Sequence, residues 1–194
     1  MIDLKVLKLL SDELVSAMAD LKEFKVIFIH ENLDLLNKTA PYFFIRLREF
    51  YWNRLILAAS RLTDPETSSN HKNLSIMILR EFSKDLPDNL NKQIEDNITI
   101  ALNESKEIRN YRNWLISHRD LSFATLSDND LPTVYLESLE KVFSAIDISL
   151  NIFYHHIDDS HYEHTPLFIT SGAQSLLYYL SLGSEIEDKA SSYH

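Results

Sequence analysis

Apolar residues recur at helical spacing from the start of the chain. Leu7, Leu10, Leu14, Met18 and Leu21 step by 3, 4, 4 and 3, the stripe of an amphipathic helix, and predict one over residues 2–30. A second run opens at Pro41, a favoured first-turn residue. It is apolar on almost every side (Phe43, Phe44, Leu47, Phe50, Tyr51, Trp52, Leu55, Ile56, Leu57) as far as Leu62, which predicts a central buried helix. Thr63-Asp64-Pro65 stops it, and 63–73 reads as a polar loop. Ser75 is placed to cap a short helix over 76–84. Pro87 opens the longest helix, to about Ser117, and 121–131 is a loop rich in Ser, Asp and Asn. Pro132 opens the next helix, whose stripe Leu139, Phe143, Ile146 and Leu150 reaches Tyr154. A last short helix is expected from Gln174 to Leu182, closed by Gly183. The acidic end, Ser184–His194, is expected to fray. The pattern as a whole predicts an all-α fold: a single bundle of about six helices over 1–183, then a tail over 184–194.

Composition agrees with this picture. Only two glycines occur in 194 residues, so tight turns are few and long helices fill the chain. With 45% hydrophobic residues, a folded core is expected. The absence of cysteine excludes disulfides and thiolate metal sites. No apolar run approaches the roughly 18 residues that span a membrane, and the charged N-terminus does not read as a signal peptide. A cytoplasmic protein without membrane contact is the expectation.

Charge sharpens the picture. The net charge of −10 counts against general nucleic-acid affinity. Its distribution is uneven, however. Seven of the eight arginines lie in the runs 41–61 and 106–119. Either these arginines pair with the many acids, or two helices supply one local anion site on an acidic body.

The second of those runs carries the candidate chemistry. In Glu107-Ile108-Arg109-Asn110-Tyr111-Arg112-Asn113-Trp114-Leu115-Ile116-Ser117-His118-Arg119-Asp120, Arg112 and Asn113 precede His118. Arginine offers a permanent fork-shaped cation for phosphate oxygens. Histidine exchanges a proton near neutral pH. Ile108, Tyr111, Leu115 and His118 form one row of a helix, and Arg112 borders it. On one continuous helix, Arg112 and His118 would lie about 120° apart and roughly 9 Å apart along the axis, within reach of one pocket.

This run resembles the R-x4-6-H signature of HEPN domains, in which a polar residue usually follows the Arg. Other segments extend the likeness: Tyr51-Trp52-Asn53-Arg54, Leu57-Ala58-Ala59-Ser60-Arg61-Leu62-Thr63-Asp64-Pro65, Lys72-Asn73-Leu74-Ser75 and His118-Arg119-Asp120. Together they resemble the HEPN subgroup named after the U-type phage abortive-infection proteins, over about residues 5–180. The resemblance implies a helical bundle that pairs into a homodimer. It implies a metal-independent endoribonuclease without cofactor, of a toxin–antitoxin or phage-defence system, with an antitoxin protein as a possible partner. His118 would be the acid or base, Arg112 would stabilise the phosphorane, and Asn113 would orient His118 or a phosphate oxygen. Arg109, Arg119, Arg54 and Arg61 would contact RNA phosphates. Some HEPN toxins carry a Tyr two residues after the His, modified by an antitoxin. Here that position is Asp120. The alternative within the same family is a non-catalytic module that binds a partner protein or a nucleotide.

Other residues receive plainer expectations. Arg54 and Arg61, seven apart, either are buried with a carboxylate or face a cleft; the buried pairing is favoured, with Asp64 and Asp120 as the expected partners, because a buried Arg requires one. His155, His156, Asp158, Asp159, His161, Glu163 and His164 are metal-ligand types without an ordered ligand spacing, and read as a solvated helix exit. Tyr42, Phe43, Phe44, Phe50, Tyr51 and Trp52 could stack bases, but at helical spacing they read first as core. No P-loop, dinucleotide fingerprint or nucleophile elbow is present.

Overall fold

The computed structural model describes residues 3–68, 70–113, 133–166 and 171–191. Seven α-helices occur among them: α1 Leu4–Ile27, α2 Leu33–Thr39, α3 Pro41–Leu62, α4 Leu79–Ser83, α5 Asp88–Arg112, α6 Leu136–Asp158 and α7 Ala173–Ser191. Single 3-10 turns, His30–Asn32 and Ile76–Ile78, lead into α2 and α4. The all-α class is therefore as expected. One antiparallel two-residue ladder interrupts the loop after α3, β1 Thr67–Ser68 against β2 His71–Lys72, with Asn70 at φ 68° in its turn. Asparagine tolerates that left-handed backbone better than most residues. Among the described residues, no helix is long and apolar enough to cross a membrane.

The helices gather into two compact units. The first comprises Met1–Ala17 and Leu55–His164. Its backbone is the antiparallel pair α5 and α6. Ile94, Ile98, Ala101, Ser105 and Ile108 step by 4, 3, 4 and 3 along α5, and all are buried. Leu139, Phe143, Ile146, Leu150 and Phe153 answer from α6, each wholly buried. Glu104 accepts from Ser138 Oγ at 2.9 Å at one end of the pair. Phe82 of α4 meets Phe153 edge to face, with centroids 6.4 Å apart. Leu7, Leu10 and Leu14 of α1 and Leu55, Ile56 and Leu62 of α3 complete the core. Burial of this many aliphatic side chains, each contributing about 1.5–3 kcal/mol, stabilises the unit.

The second unit comprises Met18–Arg54 and Thr165–His194. Ile27, Leu36, Phe44 and Ala173 form its core, with Leu47, Tyr51, Leu177 and Leu180 packed against them. Glu23 anchors α7 by accepting from the Ala173 N–H at 2.6 Å.

Several expectations are corrected. The first half of α3 is not buried all round: Phe44, Leu47 and Tyr51 face this core, whereas Tyr42, Phe43, Ile45 and Phe50 are exposed. One helix stripe is enough for the core of so small a unit, so the remaining aromatics face outward. Helix α7 does not stop at Gly183 but continues to Ser191, through what was expected to be a frayed tail. A mid-helix glycine costs only about 1 kcal/mol relative to alanine, and space is open around Gly183. Ser75 precedes its 3-10 turn in extended backbone without making a side-chain cap bond, and its Oγ is buried with no partner among the described residues. Helix α6 begins at Leu136 rather than near Pro132 and ends at Asp158. The predicted 121–131 loop, Pro132 and the end of the predicted helix through Ser117 lie outside the described residues.

Candidate functional site

The end of α3 is built by its sequence. Thr63 Oγ1 donates back to the Ala59 carbonyl at 2.7 Å, and the Thr63 and Asp64 N–H groups donate to Ser60 and Arg61 at 3.2 Å each. Pro65 then withdraws a backbone donor and disfavours helical backbone before it. The Thr63 carbonyl, left free by this arrangement, accepts from Arg109 Nη2. The last turn of α5 is thus stapled to the last turn of α3. Two arginines at the carboxyl end of α5 also sit where the helix dipole favours cations.

Arg112, one turn further along α5, reaches the same turn. Its Nη1 donates to Asp64 Oδ1 at 3.1 Å. Its Nε and Nη2 donate to Asn113 Oδ1 at 3.2 and 3.1 Å. The Arg112 and Asp64 side chains are 24% and 26% exposed. Burial lowers the Arg109 pKa; the Asp64 charge opposes the shift and the Arg112 charge adds to it. Arg109 nevertheless remains a cation at any physiological pH. Its Nε is buried without a partner among the described residues.

Asp64 also faces a cleft of about 260 Å³ lined by Glu13, Arg61, Leu62, Asp64, Asn73 and Leu74. Asn73 fixes the rim: its Nδ2 donates to the Pro65 carbonyl at 2.7 Å, and its Oδ1 accepts from Ser68 Oγ at 3.0 Å. Arg61 Nη2 donates to Glu13 Oε2 at 3.0 Å, with side chains 63% and 46% exposed. The cleft therefore has an apolar floor, two leucines, and two cation–carboxylate pairs at its edge.

The described residues among those singled out in the sequence have their places. Arg109, Arg112, Asn113, Asp64 and Arg61 come together around the Thr63-Asp64-Pro65 turn. Arg54 lies in the second unit, where it pairs with Asp20 at 2.8 Å and lies over the Phe50 ring at 5.7 Å. The expected pairing of Arg54 and Arg61 with Asp64 is corrected, whereas Asp120 lies outside the described residues. Their carboxylates come from α1, Asp20 and Glu13, and Asp64 goes to Arg112. Nor is Arg61 buried, since position 61 falls on the solvent side of α3. His118, Arg119, Asp120 and Leu115 lie outside the described residues. Glu13 had no signal in the sequence, because an acid on the polar face of an amphipathic helix is unremarked. Asn73 and Leu74 were visible only as part of the Lys72-Asn73-Leu74-Ser75 segment.

The His-rich stretch at and after the end of α6 is solvated at His155, His156 and His161, but not at His164, which is fully buried. His164 Nδ1 lies 2.5 Å from Asp147 Oδ1 and Nε2 lies 3.1 Å from Ser11 Oγ. Ser11 Oγ in turn lies 2.8 Å from the Tyr154 hydroxyl. The order Ser–His–Asp resembles a nucleophilic triad, but Ser11 is 1% exposed, so no substrate reaches it. The network fastens the chain after α6 to α1 and α6. Among the described residues, no cluster of His, Asp or Glu is arranged to hold a metal ion.

No curated protein and no solved structure matches the chain. A family model, the HEPN type described as AbiU2, matches residues 4–169. That span takes in both arginine runs, the Thr63-Asp64-Pro65 turn and the Arg112-to-His118 signature, and the chain belongs to this HEPN abortive-infection family.

Proposed function

We propose that the chain is a metal-independent RNA endonuclease acting as a homodimer in abortive infection or a toxin–antitoxin pair. The observation that carries this reading is a convergence. Segments far apart in sequence, 61–64 and 73–74, line one cleft, 109–113 joins it through the Arg112–Asp64 bond, and they are segments in which the chain resembles its family. Arg112 would grip the scissile phosphate, with Asn113 at its side. Arg109 would hold the turn, and Arg61, Arg54 and Arg119 would contact phosphates further along the strand. His118 would exchange the proton.

The chemistry needs little else. RNA carries its own nucleophile. The 2′-oxygen forms a bond to phosphorus while its proton passes to a base, and the bond to the 5′-oxygen breaks as that oxygen receives a proton. A positioned acid–base group contributes about 10²–10⁴-fold. A preorganised cation on the crowded phosphate contributes a comparable factor. The products would be a 2′,3′-cyclic phosphate and a 5′-hydroxyl.

One observation favours a second reading. The described arginines at the cleft edge, Arg61 and Arg112, are each already matched by a carboxylate, as in a module that binds a partner protein without cleaving RNA. Incubation of a mixed cellular RNA pool with EDTA separates the two. The endonuclease leaves cyclic-phosphate ends with wild type and none with His118→Ala. Absence of cleavage by wild type supports the binding module.

A further inference from the structure

We propose that Asp64 is a built-in stand-in for substrate phosphate: it occupies Arg112 when no RNA is present and is displaced when a phosphodiester enters the cleft. This rests on the reading of Arg112 as the phosphate grip.

The geometry argues for exchange rather than permanent pairing. A guanidinium binds carboxylate and phosphate through the same fork, most strongly when two oxygens meet two N–H groups. Asp64 uses one oxygen on one nitrogen, Nη1, at 3.1 Å. Among the described residues, the Nε/Nη2 edge, which suits a bidentate anion, is held only by the neutral amide oxygen of Asn113. A phosphate has oxygens for both edges. It replaces a neutral acceptor at one and a single-point carboxylate at the other. The pair is about one-quarter exposed, open enough for exchange, and Asp64 itself lines the cleft through which the anion would arrive.

The same arrangement explains why a carboxylate is there at all. Arg109 and Arg112 carry like charges, and each raises the cost of the other. Asp64 offsets that repulsion in the empty site, as does the phosphate once bound. Glu13 on Arg61 at 3.0 Å repeats the device at the other side of the cleft. An acidic protein of net charge −10 thereby keeps an anion site whose cation is neutralised until an anion enters.

The test is fluorescence anisotropy of a short fluorescein-labelled 2′-O-methyl oligoribonucleotide, which lacks the nucleophile and is not cleaved. Full-length wild type is compared with Asp64→Asn, Arg112→Ala and the double variant. The expected result is binding about tenfold tighter for Asp64→Asn, equivalent to about 1.4 kcal/mol, with the gain lost in the double variant. Unchanged or weaker binding by folded Asp64→Asn, with Arg112→Ala still impaired, overturns the stand-in and leaves the reading of Arg112 intact. Wild-type affinity in Arg112→Ala overturns that reading itself. Should Asp64→Asn fail to fold, wild type gives an independent readout. On titration with the same oligonucleotide, the Asp64 carboxyl-carbon resonance shifts as its partner leaves. A resonance that stays in place at saturation overturns the proposal.

Discussion

Two polar networks in the first unit differ in the respect that separates holding a fold from doing chemistry. In the network of Ser11, Tyr154, His164 and Asp147, both nitrogens of a fully buried imidazole have partners and no ligand has a path to it. Around the Thr63-Asp64-Pro65 turn, the Arg112–Asp64 pair is about one-quarter exposed. One arginine edge is held by a single amide oxygen, and a cleft stands at the carboxylate. The closed network has the residue types of a catalytic triad and the burial of a core. The open one has ordinary ion-pair residues and the access a substrate needs. Residue type alone would point to the closed network, which offers no access to a ligand.

The comparison breaks most sharply if the roles are exchanged. On the proposed function, Arg112→Ala lowers RNA cleavage by about 10²-fold or more, while the melting temperature moves by a few degrees at most, because Asp64 is solvated enough to lose its partner. Cleavage at the wild-type rate in that variant places the chemistry elsewhere. His164→Ala has the reverse profile. It leaves a cavity and takes one hydrogen-bond partner each from Asp147 and Ser11, at a cost of about 3 kcal/mol, read by urea denaturation. Its cleavage, measured well below the melting temperature, stays within about twofold of wild type.

Smaller effects sharpen the same contrast. Arg61→Ala removes an exposed pair, so its stability changes by less than about 0.5 kcal/mol, checked by thermal melting. A sharp loss would restore the buried-pair expectation. Smallest of all is a titration in the second unit. The Tyr51 pKa is raised by burial first, then by Glu23 and Asp20, with Arg54 opposing. Since the folded pKa exceeds the unfolded value near 10, Tyr51 supports the fold fully below that pH and loses its contribution as pH rises through the folded pKa. Ultraviolet titration of tyrosinate should show Asp20→Asn lowering the Tyr51 transition. A transition that does not move would remove the assigned cause.

How much was legible depended on how local the governing physics was. The stripes of α1, α5 and α6 were readable because a 3.6-residue period reports which face is buried, and Leu139, Phe143, Ile146 and Leu150 are all in the core. The stop at Thr63-Asp64-Pro65 was readable because proline acts on its own neighbours. The extent of α7 was not, since a glycine signal of about 1 kcal/mol loses to a run of helix-forming neighbours. The exposure of Tyr42, Phe43 and Phe50 was not, because an all-apolar helix does not say how many sides will be covered. At the candidate site, Arg112 was singled out by its spacing to His118, and Asp64 by the need of arginine for an acid. Which arginine Asp64 would choose, and that Glu13 and Asp20 of α1 would serve the others, depended on how distant helices pack. Burial of His164 among solvated histidines was hidden for the same reason.

One paired measurement tests the central claim most directly: RNA cleavage and unfolding free energy, both determined for Arg112→Ala and for His164→Ala. The account predicts a double dissociation, with cleavage lost and the fold kept in the first, and the fold weakened and cleavage kept in the second. Cleavage lost in His164→Ala at a temperature where it is folded, and retained in Arg112→Ala, would contradict it.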